Sequence, residues 1–210
     1  MLPKNRLSKI KQLLKEKTQN SPKSQPLFWK PAGLIQRISP SKKVQQWLST
    51  QGSLTKKLRL LCPDLEVIVL SEKGEIPLTN EALSLKLKTN ESAWIRCVLL
   101  KGGGGENWVY ARTVIPNFSE NNPWAHLQAL GNQPLGDVLF QKNTQNNQIR
   151  RTPFTFSKQN LTTWPYLHNQ LTQSLPQKIG YARRSVFTQQ QAPLLLTEVF
   201  LPELLEHNKI

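Results

Sequence analysis

The chain has 210 residues, 28 Lys or Arg against 13 Asp or Glu, and a formal net charge of +15. That length suits one domain with a sizeable core. No apolar run approaches the roughly 20 residues that span a bilayer, and the N-terminus lacks the apolar stretch of a secretory signal, so a cytoplasmic protein is expected. Cys62 and Cys97, with His126, His168 and His207, show no metal-ligand spacing, so no metal site is expected. One disulfide is open to the two cysteines, but two reduced thiols fit a cytosolic chain better.

The positive charge is concentrated at the start. Residues 1–46 hold eleven of the basic residues and one acid, Glu16, and the remainder of the chain is only moderately basic. In "RLSKIKQLLKEK" (6–17), Leu7, Ile10, Leu13 and Leu14 recur at helical spacing among lysines. The proline-containing stretch "TQNSPKSQP" then reads as a linker. Residues 1–28 are thus expected to form a basic, flexible arm before a single domain over 29–210. The arm is a candidate for weak contact with an anionic membrane surface, although so short a charge run is more often simply solvated. No nucleic-acid partner is expected, because no RNA-binding signature accompanies the charge.

The folded body is expected to begin near Trp29 or Ser41. Ser39 or Ser41 can cap a helix that presents Val44, Trp47 and Leu48 on one face, Gly52 ends it, and "SLTKKLRLLC" starts another. Strands follow at "LEVIVLSE" (65–72) and "SAWIRCVLL" (92–100). "KGGGGEN" suits only a turn or loop, and "WVYARTVIP" (108–116) completes a hairpin. A short helix and turn occupy "NPWAHLQALGNQPLGDVLF", and residues 141–178 are polar with no clear period. "YARRSVF" (181–187), the turn "TQQQAP" and the strand "LLLTEVF" close the chain. Hairpin-linked strands with a few helices predict the α+β class with one antiparallel sheet.

Side chains of a strand alternate between faces, and this alternation exposes an anomaly. Glu198 shares a face with Leu194, Leu196 and Phe200. Arg96 shares one with Trp94, Val98 and Leu100, and Arg112 shares one with Tyr110 and Val114. Arg183 and Arg184 are neighbours and must point to opposite faces. An unpaired buried charge costs several kcal/mol, about 3–5 when a buried partner is removed. These residues therefore either pair as an internal Arg–Glu bridge or build a site with spare positive charge for a small dianion, which arginine grips bidentately.

The stretches "WLSTQGSLTKKL", "WIRCVLL…WVYARTVIP", "LGNQPLGDVLF", "ARRSVF" and "PLLLTEVFLP" resemble the chorismate pyruvate-lyase family in order and spacing. The resemblance implies a single antiparallel sheet with flanking helices and a ligand enclosed under flaps. It implies conversion of chorismate to 4-hydroxybenzoate and pyruvate, the entry to a ubiquinone or plastoquinone head group, without metal or organic cofactor; a monomer is expected. By motif position, Arg96 matches the arginine that grips the ring carboxylate and Glu198 the carboxylate near the ring hydroxyl. Leu54 and Leu135 match positions that meet ligand largely through backbone groups. Arg112, Arg183 or Arg184 is then expected at the enolpyruvyl end. The alternative is a non-catalytic, small-carboxylate-binding effector module of the same fold. The basic arm, the long 141–178 segment, and Tyr181 where the family commonly has Trp depart from its pattern.

Overall fold

The computed structural model describes residues 28–140, 149–171 and 179–207. The expected arm therefore lies outside the described residues except for Phe28, as do residues 141–148 and 172–178 of the polar 141–178 segment. Five α-helices are described: α1 (Lys42–Leu48), α2 (Leu54–Leu61), α3 (Thr79–Leu85), α4 (Leu135–Leu139) and α5 (Pro202–Glu206). The strands are β1 (Lys30–Pro31), β2 (Glu66–Glu75), β3 (Ala93–Lys101), β4 (Asn107–Pro116), β5 (Arg150–Arg151), β6 (Thr155–Asn160), β7 (Ile179–Gln189) and β8 (Ala192–Phe200).

All strands join one antiparallel sheet in the order β1-β6-β7-β8-β4-β3-β2, with β5 also paired to β7. Together with the flanking helices this is the expected α+β architecture. The helix starts follow the capping chemistry read from the sequence. The Ser41 hydroxyl accepts from the Val44 amide at 3.4 Å and the Ser53 hydroxyl from the Lys56 amide at 3.2 Å. Gly52 between them has a φ of 73°, which a side chain would strain. The β7–β8 turn places Gln190 and Gln191 at positive φ, as a two-residue hairpin of the right twist requires.

The stretch that lacks a period in sequence contributes β5 and β6, and both pair with β7. Tertiary pairing fixes these strands, since alternation in "TFSKQN" is weak. The β2 register slips between Val69 and Ser71. This bulge inserts Leu70, so the alternation counted from the start of β2 reverses beyond it.

Two layers cover the sheet. On one face, Trp47 and Leu48 of α1 and Leu54 and Leu58 of α2 pack on Val98 and Phe200. Toward the other end of that same face, Leu135 and Leu139 of α4 pack on Trp94 and Leu196. The opposite face buries Cys97, Tyr110 and Val199 beneath Leu78 and Leu85 and a segment that includes Trp164 and Leu167. Each such apolar side chain contributes about 1.5–3 kcal/mol relative to exposure. Between the α1/α2 cluster and the α4 cluster, the first face carries a polar band, and there the charged residues gather.

Candidate active site

The band follows from register. Arg96 stands opposite Thr113, Thr113 opposite Leu196, and Leu196 opposite Ser185. One step along the strands, Ala111, Glu198 and Arg183 stand opposite one another in turn. Facing residues of paired strands point to the same side, so Arg96, Glu198 and Arg183 share a face. Glu198 is 9% exposed, Arg96 2% and Arg183 1%.

Each of these charges has a partner. Arg183 Nε donates to Glu198 Oε2 at 2.6 Å, and its Nη1 donates to the carbonyls of Thr50 at 2.5 Å and Leu48 at 3.4 Å. The acid is thereby tied to the turn that leads into α2 and Leu54. Arg96 Nε donates to Glu72 Oε2 at 3.1 Å, and its Nη2 donates to the carbonyls of Gly131 at 2.6 Å and Gln133 at 3.2 Å. Arg96 thus holds the loop that leads into α4 and Leu135. Burial pulls the Arg96 guanidinium below its ordinary range and Glu72 pulls it back up. An arginine so placed remains a cation.

Leu54 and Leu135 are each the first residue of their helix, and both are buried. Their helices meet closely: a Cβ on Gly136 would lie 2.9 Å from Ser53 Oγ and 3.1 Å from Thr55 Oγ1. The first amides of a helix have no acceptor within it; here the Ser53 hydroxyl takes the Lys56 amide and the Pro134 carbonyl the Asp137 amide, so the backbone groups of Leu54 and Leu135 themselves are the ones that meet beside the polar band.

Arg112 and Arg184 lie on the other face. The register places Cys97, Arg112, Thr197 and Arg184 opposite one another in turn. Arg112 grips Glu81 of α3 through both Nε, at 2.9 Å, and Nη2, at 3.2 Å, and both residues are 1% exposed. Arg112 Nη1 also meets Cys97 Sγ at 3.2 Å. Burial opposes the Arg112 charge, but Glu81 and the neighbouring thiol and phenol hold it well above its usual range. Arg184 donates to Asn80 Oδ1 at 3.0 Å and lies over the Trp29 ring at 4.0 Å. Burial lowers its pKa to about 10.

The structure therefore unites Arg96, Glu198, Arg183, Leu54 and Leu135 and separates Arg112 and Arg184 from them. It also supplies two acids that alternation alone did not reveal. Glu72 reaches the band because the bulge at Leu70 turns it there. Glu81 is the third residue of α3, and its Oε2 accepts the Leu78 amide at 2.9 Å, a helix-start pattern visible in "LTNE". Arg96 and Arg183 are each balanced by one carboxylate, so the spare charge expected from arginine over glutamate does not come from these two residues.

A profile of the chorismate lyase family matches residues 24–210. The chain belongs to the chorismate lyase family. A probable chorismate pyruvate-lyase of Hydrogenovibrio crunogenus is 43% identical over 173 residues, covering 82% of this chain and 89% of that protein. One from Aromatoleum aromaticum is 34% identical, covering 78% and 87%, and one from Halorhodospira halophila is 34% identical, covering 86% and 93%. Among solved structures, PhnF of Mycobacterium smegmatis superposes with a TM-score of 0.49 at 11% identity, covering 74% of this chain and 66% of that one. The band on the first face holds Arg96 and Glu198, which match the family by motif, and the opposite face holds the Arg112–Glu81 pair. Among the described residues no helix is long and apolar enough to cross a membrane.

Proposed function

We propose that this protein is a chorismate pyruvate-lyase, converting chorismate to 4-hydroxybenzoate and pyruvate, and that it supplies the aromatic head group for a quinone. The observation that carries the reading is the pair of buried, oppositely charged side chains, Arg96 and Glu198, on one sheet face beneath the starts of α2 and α4. They are two strands and two residues apart, which puts their Cα atoms about 12 Å from each other from strand spacing and rise. A six-membered ring with a carboxylate at one end and a hydroxyl opposite fits between the tips of two such side chains.

Chorismate is a dianion, with one carboxylate on a cyclohexadiene ring and one on the enolpyruvyl ether. The ring carbon–oxygen bond breaks and its electron pair leaves on the ether oxygen. The adjacent carbon, which bears the hydroxyl, loses its hydrogen, and that C–H pair completes the aromatic ring. The departing enolpyruvate gains a proton at its methylene carbon and becomes pyruvate. Aromatisation drives the reaction, so the protein has to fix the ring conformation, exclude water and stabilise charge on the leaving oxygen.

Arg96 anchors the ring carboxylate. Its Nε and Nη2 are committed to Glu72 and two carbonyls, so Nη1 is the edge left for ligand. Glu198 accepts the ring hydroxyl through Oε1, with Oε2 held by Arg183. Backbone groups of Leu54 and Leu135 complete the ring-carboxylate cradle, so replacing Leu54 by another apolar residue changes little. The hydrogen moves either directly to the methylene carbon or by way of Glu198.

The deciding experiment incubates the purified protein with chorismate and follows 4-hydroxybenzoate absorbance together with pyruvate. Equal molar yields of both products are expected. No turnover at high protein concentration overturns the reading.

A further inference from the structure

The substrate carries two negative charges, and Arg96 answers only one. Arg112 and Arg184 are on the far face, and Arg96 and Arg183 are each balanced by one carboxylate, so a cation without an acid of its own is the better match for the enolpyruvyl carboxylate. Two stand at the Arg183 end of the band, and neither has a carboxylate partner among the described residues. Arg151 of β5 is half-buried and lies opposite Phe187, on the face that carries Arg183. Its guanidinium carbon lies 4.4 Å from the centre of the Phe154 ring, and that of Arg183 lies 4.4 Å from the same ring. Lys57 of α2 lies 4.3 Å over the Trp47 ring and donates to Thr50 Oγ1 at 2.9 Å.

Both cations converge on one turn. Arg183 holds the Leu48 and Thr50 carbonyls, Lys57 holds the Thr50 hydroxyl, and Arg151 Nη2 donates to Gln51 Oε1 at 2.6 Å. We infer that Arg151, supported by Lys57, receives the enolpyruvyl carboxylate, exchanging its neutral Gln51 partner for the substrate anion. The inference rests on the lyase reading above. The surroundings agree with it. Burial and then the Arg183 charge lower the Arg151 pKa, and the nearby Glu198 raises it; burial and then Arg183 likewise lower that of Lys57. A cation held among other cations gains most from an arriving anion. The group Arg96, Arg183, Arg151 and Lys57 against Glu72 and Glu198 carries two net positive charges, which matches a dianion. After cleavage the two products carry one negative charge each, so pyruvate leaves from the Arg151 end independently of the ring.

The test compares chorismate kinetics and 4-hydroxybenzoate inhibition in the full chain carrying Arg151→Gln, Arg151→Lys, Lys57→Gln or Gln51→Ala. Arg151→Gln is expected to raise KM for chorismate roughly 10- to 100-fold, the worth of a hydrogen bond to a charged group. Its inhibition constant for 4-hydroxybenzoate, which lacks the second carboxylate, stays within about twofold. Arg151→Lys recovers part of the loss, and Lys57→Gln moves KM in the same direction by less. Gln51→Ala, which removes only the latch, leaves KM within about twofold.

The inference is overturned if Arg151→Gln leaves KM unchanged, if it weakens 4-hydroxybenzoate equally, or if Gln51→Ala reproduces it. Should Arg151→Gln not fold, the Arg151→Lys and Lys57→Gln pair decides on the same comparison. Absence of turnover by the unaltered protein instead defeats the lyase reading. Calorimetric titration with chorismate and 4-hydroxybenzoate then decides separately: the inference fails if Arg151→Gln does not selectively weaken the dianion.

Discussion

Arg183 and Glu198 face each other across β7 and β8 and are joined at 2.6 Å, with the same guanidinium holding the turn before α2. The acid is thus fixed by a cation that also holds the turn leading into α2. A carboxylate with one oxygen so engaged is held in place as an orienting acceptor.

Glu198→Gln separates this role from proton transfer. An orienting acceptor survives as an amide, so kcat is expected to remain within about tenfold of the parent. A fall of three orders of magnitude or more would assign proton transfer to Glu198. Single-turnover kinetics should accompany the measurement, since slow product release can mask a change in the chemical step.

The Arg96–Glu72 pair gives effects of opposite sign. Arg96→Met removes the anchor and leaves Glu72 and two carbonyls unpaired, and kcat/KM should fall by about 10²–10³. Glu72→Gln removes a competing anion, so 4-hydroxybenzoate should bind several-fold tighter while kcat falls because the ring product is released more slowly. Product titration of both variants reads the difference, and equal weakening in both would sink the assignment.

The Glu81–Arg112 pair should govern stability without governing catalysis. Glu81→Ala strands a cation that is 1% exposed and should cost about 3–5 kcal/mol, a Tm loss on the order of 10 °C. The double variant Glu81→Leu with Arg112→Met should recover much of it, because no charge is left unpaired. Below its melting temperature each variant should keep the parent kcat/KM, since the pair belongs to the face opposite the band. A large loss of activity in folded variants would place Arg112 in the site after all.

Alkaline stability should report the same buried cluster. Cys97 and Tyr110 both have pKa values raised by burial above their ordinary 9.0 and 10.0. A raised folded pKa gives stability that is intact below the unfolded pKa and lost above it, because the unfolded chain ionises first. Denaturation midpoints should therefore fall from about pH 9 upward, with a slope of at most about 1.4 kcal/mol per pH unit for each group. Cys97→Ala should flatten the first part of that decline. Urea titrations between pH 7 and 10.5 test this, and a parent profile that stays flat to pH 10.5 would refute it.

Much of the architecture was legible in local pattern. Ser41 and Ser53 marked the helix starts because caps have narrow residue requirements, whereas Gly52, expected to end α1, lies in the turn beyond the Ser49 cap that ends it. The strand pair around the glycine run, and the final pair around Gln190–Gln191, were readable because alternating apolar residues and turn residues agree there. β6 was not, since its pairing with β7, more than its own pattern, makes it a strand.

Arg96 and Glu198 stood out for a reason internal to the sequence. A charge at an apolar position of a strand must be answered by something, whatever the neighbours are. The sequence could not say by what. Which arginines share the face of Glu198 depends on the order of β3, β4, β8 and β7 and on their registers. Whether Glu72 joins them depends on a one-residue bulge. Alternation within a strand is local and was determined by the amino acids alone. The matching of faces between strands is set by long-range pairing, and only the tertiary structure decided that Arg183 and Arg151 stand at the Glu198 end while Arg112 and Arg184 serve the other side.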